Sequence, residues 1–132
     1  MNRTGHFGSI LLAPQATSIA FCIALCACNR ASNPSDAARE SDPRQGKIEI
    51  ERAACGSCHT IPGIPGADAQ VGPPLDRFGE RKFVAGLLPN TPDNLALWIA
   101  RPQQIAPGNV MPGMSLNRRQ ARDIAAYLEQ LH

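Results

Sequence analysis

The stretch ACGSCHTI, residues 54–61, decides how the rest of this chain is read. Cys55-Gly56-Ser57-Cys58-His59 has the Cys-x-x-Cys-His spacing of a c-type haem attachment site. Two thiols three residues apart add to the two vinyl groups on one edge of a porphyrin, and the imidazole after the second thiol is then carried beneath the iron. Gly56 and Ser57 are small, so the backbone can wrap tightly between the two thioether bonds. Other uses of the same residues are weaker. Zinc needs four ligands, and only Cys55, Cys58 and His59 cluster, without a second pair. A thioredoxin-like redox pair would follow a strand in a β-α-β setting, which nothing before residue 55 provides. A simple disulfide between Cys55 and Cys58 is the remaining alternative.

The second axial ligand follows by elimination. The three histidines are His6 in the leader, His59 itself and His132 at the last position. After Met1 the methionines are Met111 and Met114, both in PGNVMPGM, residues 107–114. A methionine set among prolines in a non-helical loop is poorly explained as core filling, which normally rides a periodic helix face. Met111 is the expected ligand and Met114 a packing residue, with the exchanged assignment as the alternative. Thioether ligation favours the ferrous state and leaves no open coordination position, which points to an electron carrier rather than an enzyme.

The amino terminus carries Arg3, an apolar region from about Ile19 to Ala27, and then small residues, the pattern of an export signal. Leu25-Cys26-Ala27-Cys28 resembles a bacterial lipoprotein box, which makes residues 1–27 a signal peptide and Cys28 the lipidated amino terminus. Cys26 departs from the usual small residue at its position. An uncleaved anchor helix over Ser9–Cys28, weakened by Pro14, Gln15, Thr17 and Ser18, and plain secretion are the alternatives. All three place the chain outside the cytoplasm. Asn29 rather than Asp follows the cysteine, which mildly favours an outer membrane in a Gram-negative cell. Residues 28–42 are polar and aperiodic and read as a tether, a coil of about 20 Å r.m.s. length.

Of the 132 residues, that leaves 43–132 to fold as a single domain. Thirteen basic against eleven acidic residues form no basic stripe, so nucleic acid is not an expected partner. Twelve prolines, eleven glycines and six aromatic residues promise long loops around a thin core, which a porphyrin would fill.

The folded part resembles a class I cytochrome c, and most closely the cytochrome c domain fused to subunit II of bacterial haem–copper oxidases. The likeness rests on ACGSCHTI (54–61), VGPPLDRFGER (71–81), LPNTPDNLALWIARPQQIAPGNVMPGM (88–114) and DIAAYLEQL (123–131). It implies one covalent haem c. It further implies that the Pro73 carbonyl accepts the Nδ1 proton of His59, and that Leu75 packs on the haem face. By the same likeness Arg81 lies near a propionate, Trp98 and Ile99 wall the methionine side, and Asn109 contacts a propionate. No binuclear copper motif and no helical hairpin are present, so the resemblance is to the fused domain alone.

Periodicity gives a matching all-α layout of three to four short helices with long loops. Asp42 caps a first helix running to about Ala54, with Pro43 in its first turn and Gln45 as reciprocal partner. Thr91-Pro92-Asp93 opens a helix that buries Leu95, Trp98 and Ile99 and stops at Pro102. Asn117 and Gln120 box the start of a last helix with Ala121, Ile124, Ala125, Leu128 and Leu131 on one face. The first and last helices are expected to cross near Gly46 and Tyr127. Arg118, Arg119 and Arg122 read as a solvated basic face.

The expected function is one-electron transfer by a monomeric, membrane-tethered, exported monohaem cytochrome, moving electrons between respiratory complexes and toward a terminal oxidase. Its redox protein partners would dock transiently on uncharged residues: Ile61, Pro62, Ile64, Pro65, Val110 and Pro112. A fixed electron-transfer subunit of a dehydrogenase complex is the alternative; a haem enzyme or gas sensor would need a labile iron site.

Overall fold

The computed structural model describes residues 40–132, so the expected signal peptide, Cys28 and nearly all of the expected tether lie outside the described residues. Helix α1 spans Pro43–Arg52 and begins as its sequence dictates: Asp42 is extended, its side chain accepts the Arg44 N–H, and Pro43 occupies the first turn. The expected reciprocal bond from Gln45 is replaced. The Asp42 N–H donates 2.8 Å to Asp123 Oδ1 from the far end of the chain, which leaves Gln45 nothing to satisfy there. The helix also ends earlier than Ala54. Ala54 takes φ 52°, a left-handed conformation costing an L residue roughly 1–2 kcal/mol, and turns the chain into a 3-10 turn at Cys55–Ser57.

Helix α2, Pro92–Ala100, is capped by Thr91, whose hydroxyl accepts the Asn94 N–H, and it buries Leu95, Ala96 and Ile99. Pro102 ends it and also opens a one-turn helix, α3, Pro102–Ile105, absent from the sequence reading. A fixed proline φ suits a helix's first turn as well as it forbids continuing the previous one. The segment between α1 and α2 holds a 3-10 turn at Phe78–Glu80 and a small antiparallel hairpin. Its strands are β1, Phe83–Val84, and β2, Leu88–Pro89, with Val84 opposite Leu88. Ala85 and Gly86 both have positive φ, and the Leu87 N–H closes the turn on the Val84 carbonyl at 2.9 Å. No run of alternating residues announces so short a hairpin. The class remains all-α.

Helix α4, Arg118–Glu129, starts with both halves of the Asn117–Gln120 capping box and buries Ala121, Ile124, Ala125 and Leu128. It crosses α1 at Gly46, where a Cβ would stand 1.9 Å from the Asp123 carbonyl oxygen and 3.0 Å from Tyr127 Cβ. Two carboxylates are buried along this seam, and both are satisfied. Asp123 receives Arg119 Nε at 2.9 Å besides the Asp42 N–H. Glu49 receives Gln120 Nε2 at 2.9 Å and the Arg52 guanidinium at 3.2 Å. Buried charge is tolerable only with such partners.

Two readings of the surface are corrected here. Arg119 pairs with Asp123, and Arg122 with Asp93 at 3.0 Å, so the basic face at the start of α4 is largely neutralised by its own neighbours. Ile61 and Ile64 are buried in the core, 2% and 8% exposed, and are not available for docking. The Ile61 N–H donates to the Ala67 carbonyl, which folds the loop inward and takes both isoleucines with it.

Gly46→Ala tests the crossing. Alanine gains about 1 kcal/mol of helix propensity, but a Cβ against a backbone carbonyl has no rotamer to escape into, and overpacking costs about 1–3 kcal/mol or more. The clash wins. The melting temperature falls by about 10 °C, measured by thermal denaturation.

Candidate haem site

The attachment motif is held by its own backbone. The hydroxyl of Ser57 donates to the Ala54 carbonyl at 2.8 Å, and the Cys58 and His59 N–H groups both donate to the Cys55 carbonyl, at 3.2 and 3.0 Å. Cys55 and Cys58 are half-buried free thiols on this single turn. Burial pushes the Cys55 thiol above its ordinary pKa, with a smaller contribution from neighbouring Cys58.

The ring of His59 is fixed from outside the motif. Its Nδ1 lies 2.7 Å from the Pro73 carbonyl oxygen. A carbonyl only accepts, so Nδ1 carries the proton and Nε2 presents its lone pair. Bonds on both sides hold that carbonyl in place: the Gly72 N–H donates to the Cys58 carbonyl at 2.7 Å, and the Leu75 N–H to the Thr60 carbonyl at 2.8 Å. Gly72 passes so close that a Cβ would sit 2.4 Å from His59 Cε1 and 2.7 Å from Nδ1. Adjacent thiols, an imidazole with a free Nε2 and a wall only glycine can form are the donor set and the cradle that a haem c needs. These residues fit the group.

The remaining predicted site residues divide by location. Leu75 and Trp98 are half-buried and pack against the core, while Ile99 is 5% exposed within it. Arg81 braces the turn after Pro73: its guanidinium donates to the Pro74 and Asp76 carbonyls and lies 4.8 Å from the Phe78 ring centroid. Asn109 points into its own loop, accepting the Met111 N–H at 2.8 Å and donating to the Ala106 carbonyl at 2.6 Å. Half of its hydrogen-bonding capacity is thus spent within the loop.

Met111 and Met114 are both half-buried, so burial does not separate them. Backbone support does. Met111 has its N–H held by Asn109 and its carbonyl held by Gln103 Nε2 at 2.8 Å. Gln103 is absent from the sequence reading. The only signal for it is its place just inside the helix that Pro102 opens, within reach of the loop that follows.

An all-α domain with a Cys-x-x-Cys-His turn, a carbonyl-anchored histidine and a braced methionine loop is a haem-protein architecture. The chain belongs to the cytochrome c family, whose profile, described as Cytochrome c, matches residues 45–132. Proteins of this family are electron carriers with covalently bound haem c. The chain is also similar to proteins named cytochrome c oxidase subunit 2. One from Alkalihalophilus pseudofirmus is 37% identical over 93 residues, 70% of this chain and 26% of the relative. One from Bacillus subtilis is 39% identical over 77 residues, 56% of this chain and 22% of the relative. This chain therefore spans about a quarter of the length of the curated relatives it matches.

Gly72→Ala and Pro73→Ala separate the wall from the carbonyl. Pro73→Ala keeps the acceptor, and covalent haem loading stays within about twofold of the parent. Gly72→Ala puts a methyl group into the His59 ring and lowers loading several-fold. Absorbance and intact mass after co-expression with a haem-attachment system report both.

Proposed function

We propose that this chain is a monohaem c-type cytochrome, tethered to a membrane and facing the periplasm or cell exterior, that passes single electrons between respiratory complexes and toward a terminal oxidase. The observation that carries the reading is the His59 Nδ1–Pro73 carbonyl bond beside two free thiols. The oxidase link rests on the relatives named above, and the tether rests on the Cys28 box and residues 28–42, outside the described residues.

In this mechanism Cys55 and Cys58 would hold the haem as thioethers, and His59 Nε2 and the Met111 thioether would hold its iron. The group would supply a reversible one-electron couple. His59 keeps one tautomer and one orientation because its Nδ1–H donates to the Pro73 carbonyl, which holds the ring in place. Gly72 lies flat against that ring, where a Cβ would stand 2.4 Å from Cε1, and so limits its tilt. Pro73, Leu75, Trp98 and Ile99 are assigned to contain the haem, with Arg81 and Asn109 toward its propionates. No helix among the described residues is long and apolar enough to cross a membrane. The anchor is assigned to a lipid on Cys28, from the Leu25–Cys28 box in the sequence.

With Ile61 and Ile64 withdrawn into the core, the docking surface is assigned to Val71 and Val110, which are 70% and 87% exposed. Each directly precedes a residue of the proposed ligand framework: Val71 precedes Gly72, which lies against the His59 ring, and Val110 precedes Met111.

Optical spectra of the purified protein test the ligands. The reduced protein shows a c-type α-band, and its colour stays with the polypeptide in acidified acetone. The long-wavelength sulfur-to-iron band of the ferric protein disappears in Met111→Ala and persists in Met114→Ala; the reverse pattern exchanges the assignment. Electron-transfer rates with an oxidase partner change less than about threefold across a tenfold range of ionic strength, because an apolar contact is little screened. A steep salt dependence would count against the apolar surface.

A further inference from the structure

The loop from Pro107 to Leu116 is held by polar side chains rather than by a backbone ladder. Among the described residues, the Asn109 N–H to the Ala106 carbonyl, at 3.2 Å, is the one backbone–backbone bond donated from this stretch. Val110 at its centre is 87% exposed and packs on nothing that would hold it. The loop's order comes largely from one carboxamide. Gln103 Nε2 donates to the carbonyls of Asn109 and Met111, both at 2.8 Å. Gln103 Oε1 accepts the Gly108 N–H at 3.0 Å. Three bonds from a side chain based on α3 therefore tie the two sides of the loop to one point. Asn109 Oδ1 completes the bracket on the Met111 N–H.

We infer that Gln103 is a positioning residue that governs how readily the Met111 thioether leaves the haem iron. The inference rests on Met111 being the axial ligand, as proposed above. Its logic is kinetic. Iron–sulfur coordination sets where the thioether sits, but release requires residues 108–111 to swing outward, and that motion breaks the three Gln103 bonds together. Breaking two or three partly exposed, neutral hydrogen bonds slows the swing by about tenfold or more. Asn109 Nδ2 also ties the segment to the Ala106 carbonyl, at 2.6 Å, a bond that changes at Gln103 leave in place. Gln103 does not move with that segment, because α3 is anchored by buried Pro102 and closed on itself by the Ala106 N–H on the Pro102 carbonyl at 2.9 Å.

The test uses the full, haem-loaded ferric protein with imidazole as the competing ligand. At saturating imidazole the uptake rate is limited by departure of the thioether. Gln103→Leu keeps the side chain's bulk and removes all three bonds. Gln103→Glu keeps the acceptor for Gly108 and loses both donations. Gln104→Leu, at an exposed neighbour whose side chain makes none of these contacts, is the control. In both Gln103 variants the sulfur-to-iron band persists, the saturating rate rises about tenfold and amide hydrogen exchange at Met111 accelerates; exchange at Gly108 accelerates in Gln103→Leu, which removes its acceptor, and not in Gln103→Glu, and Gln104→Leu matches the parent. A rate within twofold of the parent in both Gln103 variants overturns the inference, even where the melting temperature has dropped, since a merely structural role would lower stability without changing release. A parent protein lacking the sulfur-to-iron band overturns the ligand assignment itself, a result distinguishable from failure at Gln103.

Discussion

The hydrogen bond from His59 Nδ1 to the Pro73 carbonyl is the constraint on which the site depends. It joins residues 14 positions apart, and it selects the tautomer that leaves Nε2 open. The acceptor is aimed by its own chemistry. Pro73 has a ring-locked φ, and Pro74 after it confines Pro73 to extended backbone, so the carbonyl direction is set on both sides of the α-carbon. Proline also brings no N–H that would need a partner in this exposed stretch. The flanking bonds, Gly72 to Cys58 and Leu75 to Thr60, press the two segments together until only a glycine fits against the ring.

That arrangement needs a fixed platform, and the α1–α4 crossing supplies it. Gly46 lets the helices approach to backbone contact, and the approach buries Glu49 and Asp123. Gln120 serves both sides of the seam: its Oε1 accepts the Asn117 N–H at the start of α4, and its Nε2 donates to Glu49 on α1. Asp123 likewise binds Arg119 on its own helix and the Asp42 N–H at the point where the folded domain begins. Removing one partner from such a network strands a buried charge and costs several times what the pair itself contributes. The seam therefore fixes the geometry of α1, and through Ala54 the turn that carries Cys55 and Cys58.

Much of this was legible because it follows from local rules. Asp42, Thr91 and Asn117 cap helices since each places a side-chain acceptor just before an apolar-periodic run, and Pro92 and Pro102 mark first turns. The spacing of Cys55, Cys58 and His59 likewise puts all three on one tight turn, closed by bonds to the Cys55 carbonyl. What escaped depended on distant partners or on single dihedrals. Nothing near Gln45 says that Asp123 satisfies the Asp42 N–H from 81 residues away. Nothing in the sequence of Ala54 or Ala85 asks for positive φ. Ile61 and Ile64 sit among prolines and glycines and read as surface. They are core because a bridge between Thr60 and Asp68 folds the loop back on itself. Arg119 and Arg122 looked like a patch because their acids, Asp123 and Asp93, only come alongside in the folded chain.

The two flanks of the site are built from different materials, and this has consequences for how such a protein varies. On the histidine side the contacts are backbone: the Pro73 carbonyl, the Cys55 carbonyl and the glycine wall at Gly72. A carbonyl is present whatever the side chain, so this flank tolerates substitution wherever the backbone path survives, with Gly72 the exception because a Cβ there would strike the His59 ring. On the methionine side the loop hangs on two carboxamides, Gln103 and Asn109, and either can be lost by one change of residue. Both amides are neutral, so their bonds do not alter the charge around the iron when they form or break. The histidine flank is thus rigid by construction, and the methionine flank is the one whose stiffness is written in side chains and open to adjustment.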